Sequence, residues 1–321
     1  MASVLITTDY LVPGDDVYSR LTAGGHSVTF APHAGPRGRA GELALFGGFD
    51  AAIVANEPVT SAMLDAAPTL RVIARSGVGY DAIDTVAAAE RGIWVCNAPN
   101  VNHHAVAEMT IALMLAIARR LPDVIFGVRE GEWPRQGGTE LRGRTLGVVG
   151  FGPSGRAVAD LGRAFGMRVL VTTSHPHSDG DGVEFVDLDH LCRQSDYVSL
   201  HCKADATNIR LINRGRLATM KPTAVLINTA RGSLVDETAL CDALESGGLA
   251  GAALDVLENE PPPPDSRLRR RSDVIVTSHL AGQTAEARKR AGISAAENVL
   301  DVLDGRPPRS PVNAPLLDSR S

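Results

Sequence analysis

Aromatic residues are scarce in this chain, at 4% of 321 positions, so any core must rest on aliphatic side chains from within the 44% hydrophobic content. Charge of one sign is also lacking. The formal net charge of −5 gives no electrostatic footprint for nucleic acid. One basic run stands out, Arg267-Leu268-Arg269-Arg270-Arg271. It follows four prolines and Asp265 and reads as a solvated loop. The four cysteines, Cys96, Cys192, Cys202 and Cys241, have no C-x-x-C spacing and no histidine pairing of the zinc type. No metal site is expected, and the thiols are expected to be reduced. A long hydrophobic run is missing too. The longest apolar stretch, Ala105 to Ala118, is interrupted by Glu108 and Thr110 and is too short to span a bilayer. The N-terminus shows no charged segment followed by an apolar one. Cytoplasmic localisation without membrane contact is the expectation.

What is present is alternation. Apolar segments at Ser3–Thr7, Ser27–Phe30, Phe49–Ala55 and Leu70–Arg75 read as strands. Ser61–Pro68 reads as a short helix stopped by proline. Further strands are predicted at Tyr197–His201, Ala224–Asn228, Gly251–Asp255 and Val274–Thr277. Strands alternating with helices imply parallel sheets covered on both faces, and 321 residues imply two such α/β domains. From His104 to Arg120 a helix is predicted that is apolar nearly all round, as if buried between domains or subunits.

The sharpest motif runs from Thr145 to Phe165. Thr145–Val149 is a buried strand, Gly150-Phe-Gly152-Pro-Ser-Gly155 follows at once, and Arg156–Phe165 reads as a helix. Strand, G-x-G-x-x-G and helix in that order are what dinucleotide binding requires. Gly150 permits the tight turn, Gly152 lets the backbone approach a pyrophosphate, and Gly155 lets helix and strand pack closely. Pro153 has no amide hydrogen, so phosphate contact falls to Ser154 and its neighbours. The next strand, Arg168–Thr173, ends without the Asp or Glu that usually holds a ribose hydroxyl pair. Thr172, Thr173, Ser174 and His175 stand there instead. Without a carboxylate to repel a 2′-phosphate, the balance tips towards NADP over NAD.

Every later strand ends in polar residues, and ligands of open α/β sheets bind beyond the carboxyl ends of strands. His201, Thr229, Arg231, Gly232, Asp255, Glu260 and His279 are therefore expected to face one crevice. Five segments then occur in order: Arg75–Asp81, Gly150–Gly155, Ile227–Ser233, Leu254–Pro261 and Thr277–Gln283. Together they resemble the D-isomer-specific 2-hydroxyacid dehydrogenase family over nearly the whole chain. The resemblance implies two doubly wound Rossmann-like domains, with a dinucleotide-binding domain at 99–284 inserted into a substrate domain made of 1–98 and 285–321. It also implies a homodimer through the cofactor domain, and the apolar helix after His104 suits such an interface.

The resemblance implies an NAD(P)-dependent oxidoreductase that interconverts a small 2-keto acid and its D-2-hydroxy acid. Arg231 grips carboxylate and carbonyl oxygen, His279 is the acid or base, and Glu260 fixes the imidazole tautomer and raises its affinity for a proton. Asp255 is similar to the family residue that accepts a bond from the nicotinamide amide. Backbone groups at Ser76, Gly77, Val78 and Gly79 cradle the substrate carboxylate. Thr110, His201, Thr207, Thr229, Ala230 and Gly282 complete the cofactor set, with His201 near the adenine edge, where Cys202 and Lys203 replace the usual Val and Pro. Formate dehydrogenases of this superfamily carry Gln at the place of Glu260, and phosphite dehydrogenases carry Lys at the place of Val78. Phosphoglycerate dehydrogenases tend to place Arg near Asn56, and long forms add a regulatory domain. Glyoxylate or hydroxypyruvate is thus the expected substrate, with a phosphoglycerate dehydrogenase-like enzyme as the alternative. A dinucleotide-sensing corepressor shares the catalytic trio; the short tail after Pro307 favours the enzyme.

Overall fold

The computed structural model describes residues 1–32, 39–55, 57–175 and 182–315. Asn56, weighed above, lies outside them. The chain divides into two compact units, Met1–Asn102 with Thr284–Ser321, and His103–Gln283.

The first unit opens with β1 (Ser3–Ile6), α1 (Asp16–Ala23), β2 (Ser27–Phe30), α2 (Arg39–Leu43), β3 (Ala51–Val54), α3 (Ser61–Asp65), β4 (Val72–Arg75), α4 (Thr85–Glu90) and β5 (Trp94–Cys96). Its sheet has the order β2-β1-β3-β4-β5, and every pairing is parallel. Side chains alternate across the sheet, so neighbouring residues of one strand serve two cores. Leu5 and Ile73 pack with Phe46 and Val95 on one face. Val4, Ile6 and Val72 pack on the other with Ala295, Ala296 and Val299. Those last three belong to the helix Ala285–Leu303, which rejoins this unit from the far end of the chain.

The second unit runs α5 (His103–Ala118), α6 (Leu121–Arg129), β6 (Thr145–Val149), α7 (Pro153–Ala164), β7 (Arg168–Thr172), β8 (Glu184–Phe185), α8 (Leu188–Gln194), β9 (Tyr197–Leu200), α9 (Arg214–Thr219), β10 (Val225–Asn228), α10 (Glu237–Glu245), β11 (Gly251–Leu254) and β12 (Val274–Val276). The helix Ala285–Leu303 is then α11. The second sheet has the order β12-β11-β10-β9-β6-β7-β8, again parallel throughout. Strand β6 pairs with β7 on one side and β9 on the other. The winding direction reverses there, which opens a crevice at the carboxyl ends.

Five readings differ from the structure. Helix α7 begins at Pro153 rather than Arg156, inside the glycine motif. Proline suits the first helical position because its absent amide hydrogen has no intrahelical acceptor to meet. The basic run is solvated as read, with Arg267, Arg269 and Arg270 exposed, but it is not free: Leu268–Arg270 forms a 3₁₀ turn on a buried Leu268, and Arg267 pairs with Asp242 at 3.0 Å and Glu245 at 2.7 Å. The apolar surface of α5 is largely used within its own unit, against α7, β10, β11 and β12. Strands β5 and β8, of three and two residues, have too few positions to show a period of two, so the sequence reading omitted them. The contact division falls at 102/103 and 283/284, against the 98/99 and 284/285 read from sequence.

Candidate active site

Because the second sheet is wholly parallel, the residues that follow its strands share one edge. Gly150 follows β6, Thr173 follows β7, His201 follows β9, Thr229 follows β10 and Asp255 follows β11, while His279 lies three residues past β12.

The glycine turn has the shape a dinucleotide demands. Gly150 has φ of 96°, and a Cβ there would meet the Cys202 backbone at 2.5 Å. A Cβ on Gly155 would stand 2.0 Å from the Gly150 carbonyl oxygen, so glycine alone lets α7 close on β6. Gly152 faces open space, and no side chain caps α7 there. The Arg156 amide donates to the Gly152 carbonyl at 2.9 Å, opening the bond ladder of α7. Ser154 and Gly155 thus keep their amides at the positive end of the helix dipole, which favours an anion. The residues present therefore fit a dinucleotide pyrophosphate.

After β7, Ser174 Oγ bonds His175 Nδ1 at 2.9 Å, and the His175 amide donates to Thr173 Oγ1 at 3.3 Å. Across the turn, Ser199 Oγ bonds His201 Nε2 at 2.7 Å. The Nδ1 atom of His201 is buried without a partner. Burial pushes this imidazole down to about 4, so it stays neutral at working pH. Burial also pushes the Cys202 thiol up to about 11. Thr207 folds onto Asp205 through its hydroxyl at 2.6 Å and its amide at 2.8 Å.

The turn after β10 is braced from inside. Asn228, almost fully buried, accepts from the Ala230 amide at 3.0 Å and donates to the Arg231 carbonyl at 2.8 Å. Arg231 Nη1 reaches the Ala230 carbonyl at 2.7 Å. Thr110 Oγ1 donates to Val106 at 2.8 Å, so the Thr229 hydroxyl, 3.1 Å away, donates to Thr110. Gly232 lies so close to the loop after β11 that a Cβ would meet the Leu257 carbonyl carbon at 2.0 Å. That contact holds the Arg231 turn against the segment that bears Glu260.

His279 and Glu260 meet. His279 Nδ1 lies 2.8 Å from Glu260 Oε2, and Glu260 Oε1 accepts from the Leu257 amide at 3.0 Å. Both side chains stay partly open, at 46% and 39% exposure, so solutes can reach them. His279 adopts φ of 58°, a left-handed conformation that is unusual for a residue other than glycine. Asp255 enforces it. Its carbonyl accepts from the His279 amide at 2.9 Å. Its carboxylate, 1% exposed, accepts from Thr277 Oγ1 at 2.6 Å and from the Leu280 and Ala281 amides at 2.8 Å each. These inward bonds differ from the outward contact implied by the resemblance and make Asp255 the anchor of the His279 loop. Gly282 sits in the turn closed by the bond from the Gln283 amide to the Leu280 carbonyl at 2.9 Å.

Ser76, Gly77, Val78 and Gly79 belong to the first unit. Two of their amides are already committed, Ser76 to Val54 and Gly77 to Arg75, each at 2.9 Å. An amide makes one good bond, so the donors of this loop narrow to Val78 and Gly79. Tyr10 holds the loop from behind through the Ser76 hydroxyl at 2.7 Å.

Sequence reasoning placed Gly232 at the crevice and assigned no individual role to Asn228 or Thr277. All three lie inside the matched motifs; the Asn228 bonds stay within three residues, whereas Gly232 and Thr277 meet partners distant in sequence.

Residues 111–281 match the sequence profile described as "D-isomer specific 2-hydroxyacid dehydrogenase, NAD binding domain". The chain is 40% identical to a glyoxylate reductase of Korarchaeum cryptofilum over 82% of each chain. It is 41% identical to a D-3-phosphoglycerate dehydrogenase of Archaeoglobus fulgidus, where 84% of this chain spans 52% of that protein. The chain thus covers about half the length of such relatives. A solved NADPH-dependent glyoxylate/hydroxypyruvate reductase from Sinorhizobium meliloti, in complex with NADP and malonate, superposes with a TM-score of 0.81 at 31% identity. That match covers 97% of this chain and 96% of the other.

Proposed function

The chain belongs to the D-isomer specific 2-hydroxyacid dehydrogenase family, and on that footing we propose that it reduces glyoxylate or hydroxypyruvate with a nicotinamide dinucleotide, favouring NADPH. The observation that carries this reading is the 2.8 Å bond between Glu260 and His279 on a loop strained and held by Asp255. Bound at the glycine turn, the reduced dinucleotide supplies the hydride. The protein supplies the rest. Glu260 takes the Nδ1 hydrogen of His279 and leaves Nε2 to give a proton to the substrate oxygen. Arg231 draws the keto oxygen and the carboxylate to its planar, permanently charged fork. In the other unit, the Val78 and Gly79 amides are available donors for a carboxylate.

Ser154 and Gly155 hold the pyrophosphate through their amides, with Gly150 and Gly152 clearing the approach. Thr173, Ser174 and His175 serve the ribose, and the absence of a carboxylate among residues 172–175 supports the 2′-phosphate. Thr110 and Thr229 act as one hydroxyl pair, with Ala230, His201, Thr207, Asp255 and Gly282 completing the cofactor surroundings. The unit His103–Gln283 is the cofactor domain and the other the substrate domain. Four free thiols accord with a cytoplasmic location. Among the described residues no helix is long and apolar enough to cross a membrane, and no cluster of metal-ligating side chains occurs.

A second reading, phosphoglycerate dehydrogenase activity, is favoured by the 41% identity to the Archaeoglobus enzyme. Steady-state kinetics with glyoxylate, hydroxypyruvate and phosphohydroxypyruvate, each with NADH and NADPH, decides. Turnover of a non-phosphorylated acid, faster with NADPH, is expected. Preference for the phosphorylated acid establishes the second reading, a clear NADH preference overturns the cofactor assignment, and no turnover with any acid ends both.

A further inference from the structure

One carboxylate beside the acid–base pair has no part in the chemistry described so far. Glu237 opens α10, whose N-cap, Asp236, accepts from the Ala239 amide at 2.9 Å. Helix capping is thus already provided, and Glu237 is released for another task. Its Oε1 accepts from the Glu258 amide at 2.5 Å. That amide lies in the segment whose next bond, from the Leu257 amide to Glu260, orients the carboxylate bonded to His279.

Packing anchors this segment only as far as Leu257, whose side chain is buried in the core; Glu258, Asn259 and Glu260 are exposed. Gly232 abuts the Leu257–Glu258 peptide and stops it from approaching the Arg231 turn. An open surface recess of about 170 Å³, lined by Glu237, Asn259, Pro262, Pro263 and Arg267 among others, adjoins the exposed part. The backbone there is held by the bonds of Glu237 and Glu260, while Arg210 pairs with the Glu258 side chain.

We propose that Glu237 is a positioning residue that, through the Glu258 amide, sets the Glu260 carboxylate against His279. The proposal rests on the acid–base reading given above and deepens it. Charge supports the geometry. Burial holds the Glu237 carboxyl above its ordinary range, the Glu258 amide opposes this, and the Glu258 and Glu260 carboxylates add to the rise. The groups around it are Glu258 and Glu260 on the loop, Cys241 on its own helix and Arg267 across the recess, with Arg210 paired to Glu258 at 3.6 Å.

The test compares Glu237→Ala and Glu237→Gln with the parent, as cofactor-bound protein. Glu237→Ala is expected to lower kcat for keto-acid reduction between about tenfold and a hundredfold, as expected when a catalytic group is displaced by about an ångström. Cofactor Kd and keto-acid KM stay within about twofold, because neither ligand touches Glu237. Glu237→Gln keeps an acceptor oxygen and restores most of kcat. Parental kcat in a folded Glu237→Ala overturns the proposal, as does a folded Glu237→Gln as slow as Glu237→Ala. Should Glu237→Ala not fold, or the parent lack reductase activity, hydrogen exchange of the parent's Glu258 amide decides. Exchange of that amide far slower than in the unfolded chain supports the proposal; exchange at the unfolded-chain rate overturns it. Absence of parental turnover refutes the reductase reading alone.

Discussion

Arg231 shows how much of a residue's function depends on what stands behind it. A guanidinium is charged at any working pH, so its contribution lies in where its fork points. Asn228 fixes both the amide of Ala230 and the carbonyl of Arg231, and the Arg231 side chain closes on the Ala230 carbonyl. Arg231→Ala is expected to lower kcat/KM by about a hundredfold, or about 3 kcal/mol of transition-state stabilisation. Steady-state kinetics checks this; near-parental kcat/KM removes Arg231 from the site. His279 makes the complementary point. Its left-handed backbone costs free energy, and Asp255, which is buried and triply bonded to the same loop, offsets that cost. Asp255 therefore has a structural duty that its motif does not disclose.

At the scale of elements, the strand–turn–helix unit β6–α7 is governed by approach distances. Val148 and Gly150 line the place where a Gly155 Cβ would go, and the nearer atom is backbone that cannot rotate away. Gly155→Ala is expected to cost about 2 kcal/mol of stability, in the range of overpacked sites. It is also expected to weaken dinucleotide binding as α7 shifts from β6. Urea denaturation and a fluorescence titration with NADPH check both effects, and a variant unchanged in both would show that the turn has slack. Helix α10 carries the same theme outward. Asp242 and Glu245 bind Arg267, so the solvated basic run ties the segment after the prolines to this helix.

At the scale of the whole molecule, the exposed apolar surface is concentrated on α6 and just beyond it. Phe126 and Trp133 are 65% and 78% exposed, with Leu121, Ile125 and Val128 also open. Helix α5, the element the sequence suggested for an interface, spends much of its apolar surface on α7 and the sheet. We propose that the homodimer implied by the resemblance, if formed, uses α6, because surface of this kind at one helix marks an interaction site. Phe126→Glu is expected to shift the protein from dimer to monomer in sedimentation velocity. A parent that is monomeric at micromolar concentration, or a variant that stays dimeric, refutes the placement.

The sequence by itself determined the two parallel α/β units and the strand–glycine–helix motif, because both depend on local patterns. Hydrophobic runs at strand length, a turn that only glycine permits and a helix that tolerates proline at its first position are all written within about twenty residues. It also nominated Arg231, Glu260 and His279, which lie beside or just beyond strand ends. Only tertiary structure decided who holds them. The bonds of Asp255 to the His279 loop and of Glu237 to the Glu258 amide join segments more than twenty residues apart. Such a bond leaves no periodicity in the chain. Strands β5 and β8 were missed for a related reason: at so few residues, pairing with a neighbour makes the strand, and the neighbour is supplied by the fold.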